Sequence, residues 1–135
     1  MILVVSPHLD DAVLSVPGFI HARARESVTV LTVFSDGDAS HHERRAEDLA
    51  ALTHLGATPL HLGLRDAPQR LGLPRSFRDL ILRPQDDDDA ALVARTLLAR
   101  ITRLAPTLTL LPLGVGEHID HRLVHAAHAQ LPGPL

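Results

Sequence analysis

The sequence predicts a single α/β domain built as a three-layer, Rossmann-like, doubly wound and mostly parallel sheet. Three observations predict it. Short apolar runs rich in β-branched residues alternate with amphipathic stretches, a rhythm that right-handed crossovers turn into a parallel sheet. The strand-like runs are continuously apolar, as in strands covered on both faces. The chain has 135 residues, 45% apolar and 21% charged, which is one domain's worth with enough apolar side chain for one core.

The elements follow in order. Residues 1–5, MILVV, read as a buried first strand. Residues 11–24 read as a helix with Val13, Val16 and Ile20 at helical spacing, interrupted or kinked by Pro17 and Gly18. VTVLTVF at 28–34 is a β-branched second strand, and SDGDAS at 35–40 is a loop by composition. Residues 42–55 form an amphipathic helix, with Ala46, Leu49, Ala50 and Leu52 on its apolar side and Gly56 as its stop. TPLHLG at 58–63 is a short third strand. Residues 64–86, rich in Pro and Arg, are irregular and suit a functional loop. The acidic run Asp86 to Asp89 opens a helix reaching about residue 105, where carboxylates suit the N-terminal end of the helix dipole. TLTLLPL at 107–113 is a fourth strand, and Ile119 to Gln130 is a last helix stopped by LPGPL.

Composition narrows the function classes. There is no cysteine, so a disulfide framework and a thiolate zinc finger are excluded and any metal must sit on His, Asp or Glu. The formal charge of −3 and the absence of Trp and Tyr argue against nucleic acid as a partner, since such modules are basic and stack bases on aromatic rings. No apolar run reaches the ~18 residues of a membrane span. The start, MILVVSPH, has no basic n-region or cleavage site, so a cytoplasmic location is expected. All 13 basic residues are Arg, and Lys and Asn are absent, yet there are ten His. Those histidines are the anomaly to explain.

In open parallel sheets, chemistry collects beyond the carboxyl ends of the strands, at the switch point. After the first strand stands Ser6-Pro7-His8-Leu9-Asp10-Asp11; after the fourth, past a glycine-rich turn, stands Gly116-Glu117-His118-Ile119-Asp120-His121. Strands one and four can be neighbours, so the two segments would face each other. Two His and one Asp make a three-ligand zinc site with an open position for water, leaving a carboxylate and an imidazole for acid–base work. Asp10 and Asp11 are also ordinary residues for the start of a helix.

SPHLDDAVLS and GEHIDHRLV resemble the paired signatures of the PIG-L/LmbE-like zinc-dependent de-N-acetylases, over residues 1 to about 130. The resemblance implies a zinc hydrolase that removes N-acetyl groups from N-acetylglucosamine-type sugars or their conjugates. It implies His8, Asp11 and His121 as zinc ligands and Asp10 as the general base. It implies His118 as a protonated imidazole that stabilises the oxyanion, with Asp120 orienting it. Fe2+ or another divalent metal also suits two His and one carboxylate. The chain departs from the family pattern at Leu9 and Ala12, where Pro and Glu are usual, and at Val16-Pro17-Gly18, a reduced glycine-rich stretch. Residues 1–135 are expected to form a single domain of this family without its usual C-terminal extension.

Arg44-Arg45-Ala46-Glu47 resembles a family Arg/Glu pattern near the substrate. Leu64-Arg65-Asp66-Ala67-Pro68-Gln69-Arg70 resembles a family loop ending in Tyr-Arg, with Gln69 in the Tyr position. Arg44, Arg45 and Arg70 are therefore candidate substrate-binding residues. His125 and His128 share a helical face with His121 but run away from the sheet's edge. His41 and His42 read as polar surface, and His21, His54 and His61 carry no signal. The expected partner is a small amino sugar, with a homo-oligomer as an option. Two alternatives stay open: an inactive metal- or sugar-binding remnant of the fold, and a metal-dependent hydrolase of another amide or a phosphoester.

Overall fold

Four strands, β1 (Ile2–Ser6), β2 (Val28–Asp36), β3 (Thr58–Arg65) and β4 (Leu108–Leu110), pair in parallel in the order β3-β2-β1-β4. The computed structural model describes residues 1–72, 76–81, 84 and 86–131. Ile2 lies opposite Val28 on one side and Leu108 on the other. The chain therefore builds outward from β1 through β2 to β3, then crosses back to lay β4 on β1's other edge. The boundary between β1 and β4 is the switch point.

Alternate side chains of these strands enter two cores, which explains their continuous apolarity. Leu3, Val5, Leu31 and Val33 pack against Val93 and Leu97 of helix α6 (Asp87–Leu104) and Leu123 of α7 (Ile119–Ala126). Ile2, Val4, Val28 and Val30 pack on the opposite face, with Ile20 of α2 (Pro17–Ala22) and Leu52 of α3 (Ser40–His54). No helix among the described residues is long and apolar enough to cross a membrane.

The expected helix over 11–24 is two helices, α1 (Asp11–Ser15) and α2, followed by a 3-10 turn at Ala24–Glu26. Val16 leaves helical geometry at φ −134°, ψ 33°. A residue before proline is pushed out of the α region, while Pro17 itself is well placed to open α2. β2 runs to Asp36 and β3 to Arg65, each two residues beyond the predicted end, through an irregular register after Thr32. The excursion expected over 64–86 contains α4 (Ala67–Leu71) and α5 (Phe77–Ile81). Asp66 caps α4 by accepting from Gln69 N at 3.2 Å. Asp86 likewise caps α6, accepting from the backbone of Asp88 and Asp89. β4 keeps three of the seven predicted residues, and the last helix tightens to a 3-10 turn at Ala127–Gln130. The rest of the 64–86 stretch and the stop within LPGPL, beyond Leu131, lie outside the described residues.

Candidate active site

The loop leaving β1 is fixed by its own side chains. Ser6 Oγ donates to His8 O at 2.8 Å and accepts from Ala12 N at 3.1 Å. His8 N donates to Asp11 Oδ2 at 2.8 Å, and Phe34 N on β2 donates to Pro7 O at 2.9 Å. Across the switch point, the turn before α7 has positive φ at Gly114, Gly116 and Glu117. That reversal delivers His118 to the N-cap of α7, where its Nδ1 accepts from Asp120 N at 3.2 Å.

The two segments meet. His8 Nδ1 lies 3.3 Å from Asp11 Oδ2, His121 Nε2 lies 3.2 Å from the same oxygen, and the two ring nitrogens are 3.2 Å apart. His8 Nε2 donates to Asp120 Oδ2 at 3.0 Å, so its Nδ1 presents a lone pair to the triangle. Three acceptor atoms facing one another repel unless a cation sits among them. A tetrahedral cation with bonds of about 2.0–2.1 Å separates neighbouring ligand atoms by about 3.3 Å. The three edges match that spacing, so His8, Asp11 and His121 fit a divalent metal. The nitrogens of His8, His118 and His121 also lie within 4.8 Å of one another. Asp11, with short contacts to both His8 and His121, completes a tighter set than His118 does.

In the metal-free chain a proton on His8 stands where the metal would. Burial opposes charge on His8, yet Asp11 and Asp120 outweigh it and raise its pKa to about 9. Burial also opposes charge on Asp11 and Asp120. His121 and His8 nevertheless hold Asp11 well below the usual carboxylate range, and His8, Arg70 and the Ala67 N–H hold Asp120 down. His118 is shifted down by burial, reinforced by the neighbouring His8.

Asp10 stands beside His8. It lines a polar cleft of about 230 Å3 with His8, Arg44, Asp66, Pro68 and His118, and Arg44 Nη2 lies 3.6 Å from it. Arg44 thus reaches the cleft. Arg45 does not: it donates to Ser35 O at 2.9 Å and pairs with Asp36 at 3.3 Å. Arg70 is also turned inward. It binds Asp89 at 2.6 Å, Asp120 at 3.0 Å and Arg65 O at 2.8 Å, with its guanidinium over the Phe34 ring. Asp120 departs from the expectation as well. Its carboxylate holds His8, not the ring of His118, and only its backbone N–H touches His118.

Two residues of the site escaped the sequence reading. Asp66, nearly buried, stands directly after β3, so the strand-end rule that found His8 would have found it too. His41, expected on the surface, is 1% exposed. Its Nε2 lies 3.3 Å from Asp66 and its Nδ1 3.4 Å from Asp38. A Cβ on Gly37 would come within 2.3 Å of that ring, so glycine is what lets His41 in. His42 is exposed, as expected.

The arrangement can bind a metal beside a carboxylate and an imidazole, the parts of a metal-assisted hydrolase. The sequence profile of the family described as GlcNAc-PI de-N-acetylase, PIG-L, matches residues 3–131. No curated protein sequence matches at a significant level. The chain is similar to a solved deacetylase–teicoplanin complex of the teicoplanin biosynthesis pathway, at 27% identity and a TM-score of 0.82, covering 96% of this chain and 64% of that one. It is similar to Dbv21, the A40926 pseudoaglycone deacetylase, at 30% identity and a TM-score of 0.73, covering 97% and 60%. It shares its fold with GalB, the 4-carboxy-2-hydroxymuconate hydratase of Pseudomonas putida, at 24% identity and a TM-score of 0.62, covering 94% and 53%. The chain spans less than two thirds of the length of each. The hydratase shows that the fold alone does not choose the reaction.

Proposed function

The chain belongs to the GlcNAc-PI de-N-acetylase family, PIG-L, and on that premise we propose that it is a zinc-dependent hydrolase of N-acetylglucosamine-type sugars or their conjugates. The observation that carries the proposal is the triangle of His8 Nδ1, Asp11 Oδ2 and His121 Nε2, with edges of 3.2–3.3 Å. Zinc on those atoms supplies a Lewis acid that lowers the pKa of water and polarises the amide carbonyl.

The chain's own groups do the rest. Asp10 takes a proton from the attacking water and returns it to the departing amine, with Arg44 beside it in the cleft. His118 donates from Nε2 to the carbonyl oxygen as charge develops there. Its Nδ1 is already an acceptor in the α7 cap, so the ring serves as a neutral donor; this departs from the protonated imidazole expected from the sequence. Asp120 and Arg70 hold His8 in the tautomer that presents Nδ1. Asp66 and Arg44 give the cleft a carboxylate and a guanidinium suited to sugar hydroxyls.

The test is a zinc titration of the metal-stripped chain, followed by an acetate-release assay on N-acetylglucosamine and its conjugates. His121→Ala should abolish tight zinc binding. Asp10→Asn should keep zinc and lower kcat by about 10²–10⁴-fold. A wild-type chain without a tight site overturns the metal assignment. Tight zinc without acetate release from any of these sugars leaves a metal-binding remnant and overturns the activity.

A further inference from the structure

Among the described residues, His41 is the one histidine that is buried, and the reaction proposed above does not use it. It stands in the first turn of α3, and both of its ring nitrogens face carboxylates. Nδ1 lies 3.4 Å from Asp38 Oδ1, and Nε2 lies 3.3 Å from Asp66 Oδ2. Two further bonds close these groups into a ring. Gln69 Nε2 donates to Asp38 Oδ2 at 3.1 Å, and Gln69 N donates to Asp66 Oδ1 at 3.2 Å. The circuit runs from Asp66 to His41, Asp38, Gln69 and back to Asp66. It joins the loop after β2 to the first turns of α3 and α4. Gln69 holds the position where the resembled family loop has Tyr, and its side-chain amide is what brings Asp38 into the circuit.

Of these four residues, Asp66 is the one that lines the polar cleft, beside Asp10, Arg44 and His118. A carboxylate rotates broadly about its last torsion, so it reads a hydroxyl from a fixed direction only when its oxygens are held. Gln69 N holds one oxygen and His41 stands against the other. An ionised carboxylate has about four lone-pair sites, which leaves roughly two for hydroxyl groups in the cleft. The ring of His41 makes its contacts with Asp38 and Asp66, not with the metal triangle. Gly37 admits it, because a Cβ at that position would overlap the ring. Resting on the sugar-hydrolase reading above, we propose that His41 is a positioning residue: it holds Asp66 with its remaining lone pairs towards the sugar, and so sets how tightly the amino sugar binds, while zinc affinity and the chemical step belong to other groups.

Two substitutions separate the two sides of the ring. In His41→Gln the amide nitrogen falls where Nε2 was and keeps a donor towards Asp66. In His41→Asn it falls where Nδ1 was and keeps a donor towards Asp38 only. Both side chains are smaller than His, so a general loss of packing would affect both alike. On the zinc-loaded full chain with N-acetylglucosamine, His41→Asn should raise KM about ten-fold, the scale of one hydrogen bond to a charged group. Its kcat should stay within about two-fold of wild type, the signature of lost ground-state binding. His41→Gln should bring KM back to within about two-fold of wild type. Gly37→Ala displaces the ring without removing a polar group; it should behave as His41→Asn does, and it carries the comparison if the Asn variant does not fold. Asp66→Asn keeps a capping side chain on α4. In that background His41→Asn should change KM by less than about two-fold, because the ring acts through Asp66. Calorimetric binding of glucosamine, the product of the proposed reaction, should rank the variants in the same order, with zinc affinity equal in all of them.

Turnover with the same KM in wild type and His41→Asn overturns the positioning role and leaves the deacetylase reading standing. So do equal losses in His41→Asn and His41→Gln, which would place the effect in packing. A fall in kcat or in zinc affinity beside the rise in KM overturns it as well, because the ring would then support the centre itself. A full ten-fold effect that persists with Asp66→Asn places the action on another group and overturns it too. Glucosamine binding that follows the variants, without acetate release by wild type, supports the role of His41 and overturns the deacetylase reading.

Discussion

Asp120 has no exposed surface and accepts from three donors: His8 Nε2, Ala67 N and the Arg70 guanidinium. Arg70 in turn spans Asp120 and Asp89, so the carboxylate behind His8 is itself paired with a guanidinium. Removing that guanidinium leaves a buried carboxylate short of a partner, a change that costs about 3–5 kcal/mol. It also loosens the group that fixes the His8 tautomer, and such outer partners are worth about 10–100-fold in metal affinity. Arg70→Gln should therefore weaken zinc binding by that factor, and Arg70→Gln with Asp120→Asn should lose less than the sum of the two. Calorimetric zinc titrations of the four proteins check it, and additive losses would show that Arg70 acts elsewhere. The same groups set the pH response of the metal-free chain. His8, with its pKa raised to about 9, contributes stability that is complete below its unfolded value near 6.5 and is lost as pH rises through about 9. Asp11 and Asp120 are lowered, so their contribution is present above about 3.9 and is lost as pH falls through their folded values. Denaturant midpoints of metal-stripped protein should peak between about pH 4 and 6.5 and fall on both sides; a flat profile would contradict the network. The sequence made His8, Asp10, Asp11, His118, Asp120 and His121 legible because strand ends announce themselves locally. It hid the inward turn of Arg70 and the burial of His41, since those depend on partners such as Asp120, 50 residues from Arg70, and Asp66.

Strands were readable as apolar runs because both faces of β1 and β2 are buried; of their order, the sequence reading offered the adjacency of strands one and four, which the sheet has. Boundaries were less legible where a side chain decides them. Val16 breaks α1 from α2 through the proline that follows it, and Asp66 starts α4 inside a stretch with no periodicity of its own. Pairing between elements was the least legible. Asp48 on α3, 4% exposed, binds His61 on β3 at 2.8 Å and fastens that helix to the sheet. Burial raises the Asp48 pKa, with His61 opposing it. A raised carboxyl favours the folded state at low pH, and that advantage is lost as pH rises through the folded value. His61→Ala leaves the carboxylate without its ring partner, so it should destabilise the chain by about 1–3 kcal/mol. The loss should be larger at pH 7 than at pH 4, where Asp48 takes up a proton. Urea melts at the two pH values read this directly, and an equal loss at both would place the cost in packing rather than in charge.

On the scale of the whole molecule, the candidate metal joins the two ends of the fold. His8 and Asp11 belong to the first strand–helix turn, while His121, 113 residues beyond His8, lies on the last helix. β4, three residues long, is all that links β1's outer edge to that helix through the sheet. A bond between the two segments therefore restrains the molecule where its sheet is thinnest. Without metal, the same contact depends on a proton held among His8, Asp11 and His121. Zinc that binds only the folded chain stabilises it by about 2.7 kcal/mol at one hundred times its Kd. For a domain of this size that is about 10 °C in Tm. The melting temperature should therefore rise by that amount on saturation, return on chelation, and stay unmoved by zinc in His121→Ala. Amide exchange should slow most in the β1–α1 turn and in α7, the two segments that the ligands bridge, and least in β3 at the opposite edge. Uniform protection across all four strands would mean that zinc acts elsewhere and that the triangle does not couple the ends of the chain.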